Sequence, residues 1–336
     1  MTASGYGIRA FRTGDEAIIV DMFNRVFGAS DPEFRPRDVD FFNWKYLANP
    51  AGYHSLVAED PDGLVVAHYG GVPIKMRVDG QDVLFGQNCD AYSDPAIRRG
   101  LRNPGTFVRL AQAYASTFAI PGVDAVMYGL PVPEHYRIGV KYLDYWMLRT
   151  QFQLTLRHAD QLPDWDWKTH AIEVTEFPED VLALAERLES RHHRCVARRD
   201  KAFLDWRFAS HPWKSYRMAV ARPGDGGDVL GLAVYSKARF GNATRGILVD
   251  WYVDPESPGA AQSLLRWTAE RAAQDGLHDL VTILPPTSIW WERFIQFGFE
   301  AEPTPYVMTA RPYDVRFASA WLREHWYYTL ADMDLV

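Results

Sequence analysis

The chain has 336 residues, 47% hydrophobic and 24% charged, with a net charge of −7. That length suits two domains and the composition is that of a globular protein. The acidic balance argues against a general nucleic-acid binder, because neutralising phosphates needs a basic face.

In chain order, a helical pattern follows Thr13-Gly14-Asp15 over residues 14–28. A second short helix is predicted over 36–47, and strands over 54–59, 63–79 and 82–93, broken by the DPDG and VDGQ turns. Phe107, Leu110, Ala111, Tyr114 and Phe118 recur at helical spacing. A short buried strand at 124–130, a helix from Pro133 to Tyr142 and a strand from Tyr145 complete the first half. Residues 159–168, ADQLPDWDWK, read as a joint. The second half repeats the order, with helices in 177–208, strands in 215–253, and helix, strand, helix at 260–275, 278–284 and 287–296. Only Cys89 and Cys195 occur, too few for a disulfide framework, so a reducing, cytoplasmic setting is expected. The first residues lack a signal-peptide apolar core, and no apolar run of about 18 residues predicts a membrane span.

The halves share words as well as order. FFNWKYLANP (41–50) matches FLDWRFASHP (203–212) at an offset of 162. CDAYSDP (89–95) matches VDWYVDP (249–255) at an offset of 160. YGLP (128–131) matches TILP (282–285) at an offset of 154, and YLDYW (142–146) falls on FGFE and its neighbours at that offset. Several matches in one order indicate duplication. The drop from 160 to 154 lies in one loop. DPAIRRGLRNPGTF (94–107) carries six residues that DPESPGAA (254–261) lacks, and with them Arg98, Arg99 and Arg102.

Two helices, antiparallel strands, a basic Gly-containing turn, then helix, strand, helix, strand resembles the layout of the GNAT acyltransferases. Arg102-Asn103-Pro104-Gly105-Thr106-Phe107 resembles that family's phosphate loop, and YGLP followed by KYLDY its last helix. The resemblance covers both halves. It implies an α+β (α/β sandwich) chain of two tandem GNAT-like domains, each a mixed, mostly antiparallel sheet with helices on both faces. Residues 1–158 would carry the coenzyme loop, and 159–336 a degenerate copy acting as scaffold or acceptor wall. The implied reaction moves an acyl group from acetyl-CoA or another acyl-CoA to a primary amine of a small molecule.

Gly105 opens a helix whose first N–H groups suit an anion, and Arg98, Arg99 and Arg102 add charge-assisted contacts. Arg99, Arg102, Asn103, Gly105, Thr106 and Phe107 are therefore the expected coenzyme loop. The second copy has Glu256 in its turn, repulsive to a pyrophosphate, so one coenzyme site is expected, in the first half. The resemblance places pantetheine contacts on the backbone of Ala91, Tyr92, Ser93 and Asp94. It makes Asp90 the candidate base, although Asp250 stands in the equivalent place. The family's proton-donating tyrosine would fall on Val140, so the match fails there. Tyr136 and His135, on the same helix, are the candidates instead. His68 and Tyr69 have no echo in the second half and are acceptor-site candidates. No His/Cys/Asp spacing resembles a metal site. The aromatic C-terminal WLREHWYYTLADMDLV is similar to tails of surface-polysaccharide enzymes and suggests an amino sugar, free or nucleotide-linked, as acceptor. Partners beyond that acceptor are not implied, neither nucleic acid nor membrane, and a homodimer is compatible. Two other readings stay open: a Fem-like aminoacyl or peptidyl transferase using tRNA, which the acidic charge disfavours, and a non-catalytic acyl-CoA-binding protein.

Overall fold

The computed structural model describes residues 5–28, 34–97, 105–120, 122–159, 162–163, 165 and 168–335. Arg98, Arg99, Arg102 and Asn103 of the expected coenzyme loop lie outside them.

The first half runs β1 (Gly7–Ala10), α1 (Glu16–Gly28), α2 (Val39–Phe42), β2 (His54–Glu59), β3 (Val65–Val78), β4 (Gln81–Ser93), α3 (Thr106–Phe118), β5 (Asp124–Gly129), α4 (Pro133–Tyr142) and β6 (Trp146–Leu156). The second runs β7 (Thr169–Val174), α5 (Val181–Arg191), β8 (Cys195–Ala197), α6 (Lys201–Leu204), β9 (Arg217–Pro223), β10 (Gly231–Phe240), β11 (Ala243–Val253), α7 (Pro258–Gln274), β12 (Leu280–Thr282), α8 (Ile289–Gln296), β13 (Glu300–Pro312), α9 (Ser319–His325) and β14 (Trp326–Tyr327).

These elements form two compact units. The first unit's sheet has the order β1-β2-β3-β4-β5-β13, and the second's the order β7-β9-β10-β11-β12-β6. The patterns agree strand for strand. The fourth and fifth strands pair in parallel (β4 with β5, β11 with β12), and the sixth pairs antiparallel (β13 on β5, β6 on β12). Each sheet is therefore closed by the last strand of the other half of the sequence. A boundary at 158/159 follows the repeat but not the compact units. Residues Arg149–Tyr306 belong with the second unit and Val307–Ser319 with the first.

Helices cover both faces of the first unit's sheet. Tyr69 packs with Leu110, Ala111 and Tyr114 of α3. His68 lines a space with Phe23 of α1 and Phe42 of α2. Neighbours on a strand point opposite ways, so the two residues mark the two faces.

The duplication is visible in local geometry. Asp38 caps α2 by accepting from the Phe41 amide at 2.7 Å, and Asp200 caps α6 by accepting from the Phe203 amide at 2.8 Å. Both helices widen into a π-helical turn, Asn43–Leu47 and Asp205–Ala209. Asp144 adopts a left-handed φ of 50° where Gly298 has 96° at the offset of 154. Asp144 thus occupies the conformation glycine holds in the second copy, and it pairs with Arg311 at 3.0 Å.

Residues 326–333 pack into the second unit. Trp326, Tyr328, Leu330 and Met333 are buried, and β14 pairs with β8. These aromatic residues of the tail thus pack within the unit.

Candidate functional site

A fold made twice separates support from chemistry. What both copies keep serves the architecture, and what one copy changes is the candidate site.

Asp90 belongs to the first group. It sits in β4 at a left-handed φ of 50°, a bulge-like kink. Its Oδ2 accepts from Arg37 at 2.6 Å, Tyr46 at 2.8 Å and Lys45 at 2.9 Å. In the second unit the register slips beside Asp250, between Val234 and Tyr235, and Arg199 donates to both Asp250 oxygens at 2.8 and 2.9 Å. Arg37 and Arg199 are equivalent at the offset of 162, as are Lys45 and Arg207. Burial alone would raise the Asp90 pKa, but Arg37 and Lys45 outweigh it and hold the carboxyl far below the usual range. A carboxylate so stabilised is a feeble base. Asp90, expected as the general base, is thus ion-paired with Arg37 and Lys45 at the kink of β4.

His68 is part of the same lock. Its Nδ1–H donates to the Asp90 carbonyl at 2.9 Å, which leaves Nε2 to accept from the Ser55 hydroxyl at 3.0 Å. Both nitrogens are used and the ring is fully buried, so His68 does not contact an acceptor. Burial lowers its pKa to about 4. The unfolded value is higher, so the folded protein binds fewer protons between those values. Stability from this group is complete above about pH 6.5 and is lost as pH falls towards 4, by about 3 kcal/mol in all. Denaturant titrations at pH 7 and 5 should show about 2 kcal/mol of that loss, and a flat profile would contradict it.

Tyr92 and Asp94 also serve the fold. The Tyr92 hydroxyl donates to the Ile19 carbonyl at 2.8 Å. The Asp94 amide donates to the Val66 carbonyl at 2.9 Å, as the Asp254 amide does to Leu230 at 2.9 Å. The Asp94 amide therefore faces β3 and is not a pantetheine contact. By strand alternation Ala91 and Ser93 turn their peptide groups the other way, while Tyr92 shares the side of Asp94.

That other side is where β4 and β5 part. Their pairing runs from Leu84/Asp124 to Gln87/Tyr128, and β4 continues to Ser93 without β5 beside it. Over the gap, α3 starts at Gly105 with no side-chain cap, and Thr106 and Phe107 form its first turn. Phe107 lies 5.4 Å from the His135 ring and 6.1 Å from Tyr69. His135 stacks at 6.0 Å on Tyr145, whose hydroxyl meets that of Tyr69 at 2.8 Å. A cavity of about 20 Å³, room for one water, is lined there by Tyr69, Asn88, Tyr114, Tyr128 and Tyr145. Gly71 admits the Tyr114 hydroxyl and Gly139 the Tyr145 ring, since a Cβ at either would collide with them. Tyr114 Oη, Asn88 Oδ1 and His135 Nε2 are buried without a hydrogen-bond partner among the described residues. Such orphaned groups are costly unless a ligand or water meets them.

Tyr69 thus lines the cavity, with the His135 ring 6.3 Å from its own. Burial pushes the His135 pKa down to about 4, so it is neutral near pH 7 and does not titrate there as expected from sequence. Tyr136 is half-buried and does not line the cavity. Asn88, Tyr114 and Tyr145 of the cavity lining were not singled out by sequence reasoning.

The second unit carries other side chains at the equivalent places. Asn88, His135 and Tyr145 correspond to Leu248, Ile289 and Phe299, and Ala91 to Trp251. Trp251 is fully buried, with ring contacts at 5.4 Å to Trp290 and 5.1 Å to Phe294 of α8. Among the described residues no group of three or more His, Cys, Asp or Glu could hold a metal. No described helix is long and apolar enough to cross a membrane.

No family model matches the chain, and no curated protein does. Solved structures do. One is a conserved protein of unknown function from Enterococcus faecalis, described as a probable N-acyltransferase, with TM-score 0.69 and 15% identity over 92% of this chain and 73% of that one. A GCN5-related N-acetyltransferase from Anabaena variabilis gives TM-score 0.66 and 12% identity over 92% and 73%. A tandem GNAT protein from the clavulanic acid biosynthesis pathway gives 0.60 and 14% over 92% and 98%. The chain has the tandem GNAT fold.

Proposed function

We propose that this protein transfers an acyl group from acyl-CoA to a primary amine of a small molecule, by direct attack in a ternary complex, using one coenzyme site in the first unit. The observation that carries this is the contrast between the two strand gaps. In the first, polar side chains with unmet hydrogen bonds line the gap. In the second, Leu248, Ile289 and Phe299 stand where the first has Asn88, His135 and Tyr145, and the buried Trp251 and Trp290 rings meet at 5.4 Å.

The pyrophosphate would lie at the uncapped start of α3, on the amides after Gly105 and with Arg99 and Arg102. The pantetheine would follow the outward peptide groups of Ala91 and Ser93. Holding amine and thioester together supplies much of the acceleration without a side-chain base. The fold neighbours named as acyltransferases favour this reading over a tRNA-dependent transferase, as does the net charge of −7.

Calorimetry with acetyl-CoA should give one site per chain. Arg102→Glu should weaken binding about a hundredfold, since attraction to a phosphate is replaced by repulsion, and Glu256→Ala should leave it unchanged. Two sites per chain would overturn the assignment. Thiol release from acetyl-CoA with a panel of amines separates an enzyme from a coenzyme-binding protein.

A further inference from the structure

In the second unit a peptide segment docks on the ion pair that the two copies share. The Arg199 guanidinium binds Asp250 through Nε and Nη2, and it binds the Asp332 carboxylate through Nη1 at 2.7 Å and Nη2 at 3.1 Å. These are two forked contacts, the geometry in which arginine recognises carboxylates best. The Thr329 hydroxyl donates to Asp250 at 2.8 Å, and the Ala331 carbonyl accepts from Arg207 at 3.0 Å. Arg199, Arg207 and Asp250 correspond to Arg37, Lys45 and Asp90. The segment thus displays what such a cluster recognises, a carboxylate flanked by groups that hydrogen-bond.

The first unit keeps the cluster but buries its arginine less. The Arg37 side chain is 19% exposed, against 0% for Arg199. Its guanidinium lies over the Phe23 ring at 3.6 Å and the Phe41 ring at 5.0 Å, contacts that hold a cation without using a carboxylate. Nη1 donates to Asp90 at 2.6 Å. The space there is lined by apolar residues of α1 and α2 and by His68, Asp90 and Tyr92 of the sheet. Asp90 directly precedes Ala91, whose peptide group lies on the proposed pantetheine path. A carboxylate bound to Arg37 would hold the rest of its molecule beside the strand where the thioester is proposed to lie.

We infer that the amine acceptor also carries a carboxylate, and that Arg37 recognises it as Arg199 recognises Asp332. The acceptor is then an amino acid in the broad sense, with amine and carboxylate in one small molecule. This rests on the acyl transfer proposed above.

The test uses the full chain and follows thiol release from acetyl-CoA. The acceptors are amino acids of increasing separation between amine and carboxylate, each against its own carboxamide, with amino sugars as amines that lack the acid. For the accepted acid, kcat/KM should exceed that of the carboxamide by about tenfold to a hundredfold. Arg37→Ala should bring that ratio near one. Arg37→Lys should keep part of it, because the charge remains and the fork is lost. Lys45 also pairs with Asp90, at 2.9 Å, so the carboxylate keeps a cation in both variants. The ratio is taken within each variant, and a general loss of stability does not move it. An unchanged ratio in Arg37→Ala, or wild-type turnover that ignores the carboxylate or is confined to amines without one, overturns the inference. Turnover of none of the amines, with coenzyme A bound, overturns instead the transfer reaction on which it rests.

Discussion

Arg199→Ala should destabilise the protein by about 3–5 kcal/mol, a large share of a domain's net stability. Arg199 is fully buried and uses its guanidinium on two carboxylates, Asp250 and Asp332 at 2.7 Å, with a further bond to Thr329. Removing it strands two buried negative charges close together. It also unties residues 326–333, where Arg207 donates to the Ala331 carbonyl at 3.0 Å. The repeat supplies the control. Arg37→Ala removes the equivalent cation, but Lys45 still pairs with Asp90, and the Arg37 side chain is 19% exposed. About 1–2 kcal/mol is expected there. Denaturant midpoints of the two variants measure the difference, and equal small losses would show that the lock is not what holds the second copy together.

The same comparison explains what could be read in advance. Element order and the Asp-x-Tyr-x-Asp-Pro and Trp matches were legible because each reflects a local rule, periodicity or a cap, that both copies obey. The Arg-Asp pairs at 37–38 and 199–200 were equally present at the offset of 162, one turn upstream of the matched words. They became meaningful only when Asp90 and Asp250 were seen to be their targets. The exchange of last strands was not legible. β6 and β13 serve equivalent edges, and nothing local in an apolar strand says which of two similar partners it will meet. Asn88 and Tyr145 belong to no motif. Their signal was subtractive, a polar residue facing an apolar one in the other copy, and it required both offsets to be right. Asp90 misled for the converse reason: a carboxylate at the site strand looks like a base until its two cations are counted. Gly105, Thr106 and Phe107 lie at the start of α3 as expected, whereas the arginine-bearing residues before them fall outside the described structure.

Ala91→Trp should abolish coenzyme binding, weakening acetyl-CoA at least a hundredfold, or about 2.7 kcal/mol, while the chain still folds. The second unit has already made this substitution. At the equivalent position Trp251 has no exposed surface and is braced by Trp290 and Phe294 of α8. An indole brings well over a hundred Å² of apolar area, and in the first unit it would lie where the pantetheine is proposed to run. Ala91→Leu should give an intermediate loss and guards against a variant that fails by overpacking the core around Tyr69 and Leu110. The reverse change is asymmetric. Trp251→Ala should cost about 3–5 kcal/mol through the cavity it leaves, yet gain no coenzyme, because Leu248, Ile289 and Phe299 offer no hydrogen bonds to amide or thioester. Full binding by Ala91→Trp, measured by calorimetry on folded protein, would place the coenzyme elsewhere. Binding gained by Trp251→Ala would show that space alone, and not the polar set around Tyr145, decides which copy is the working one.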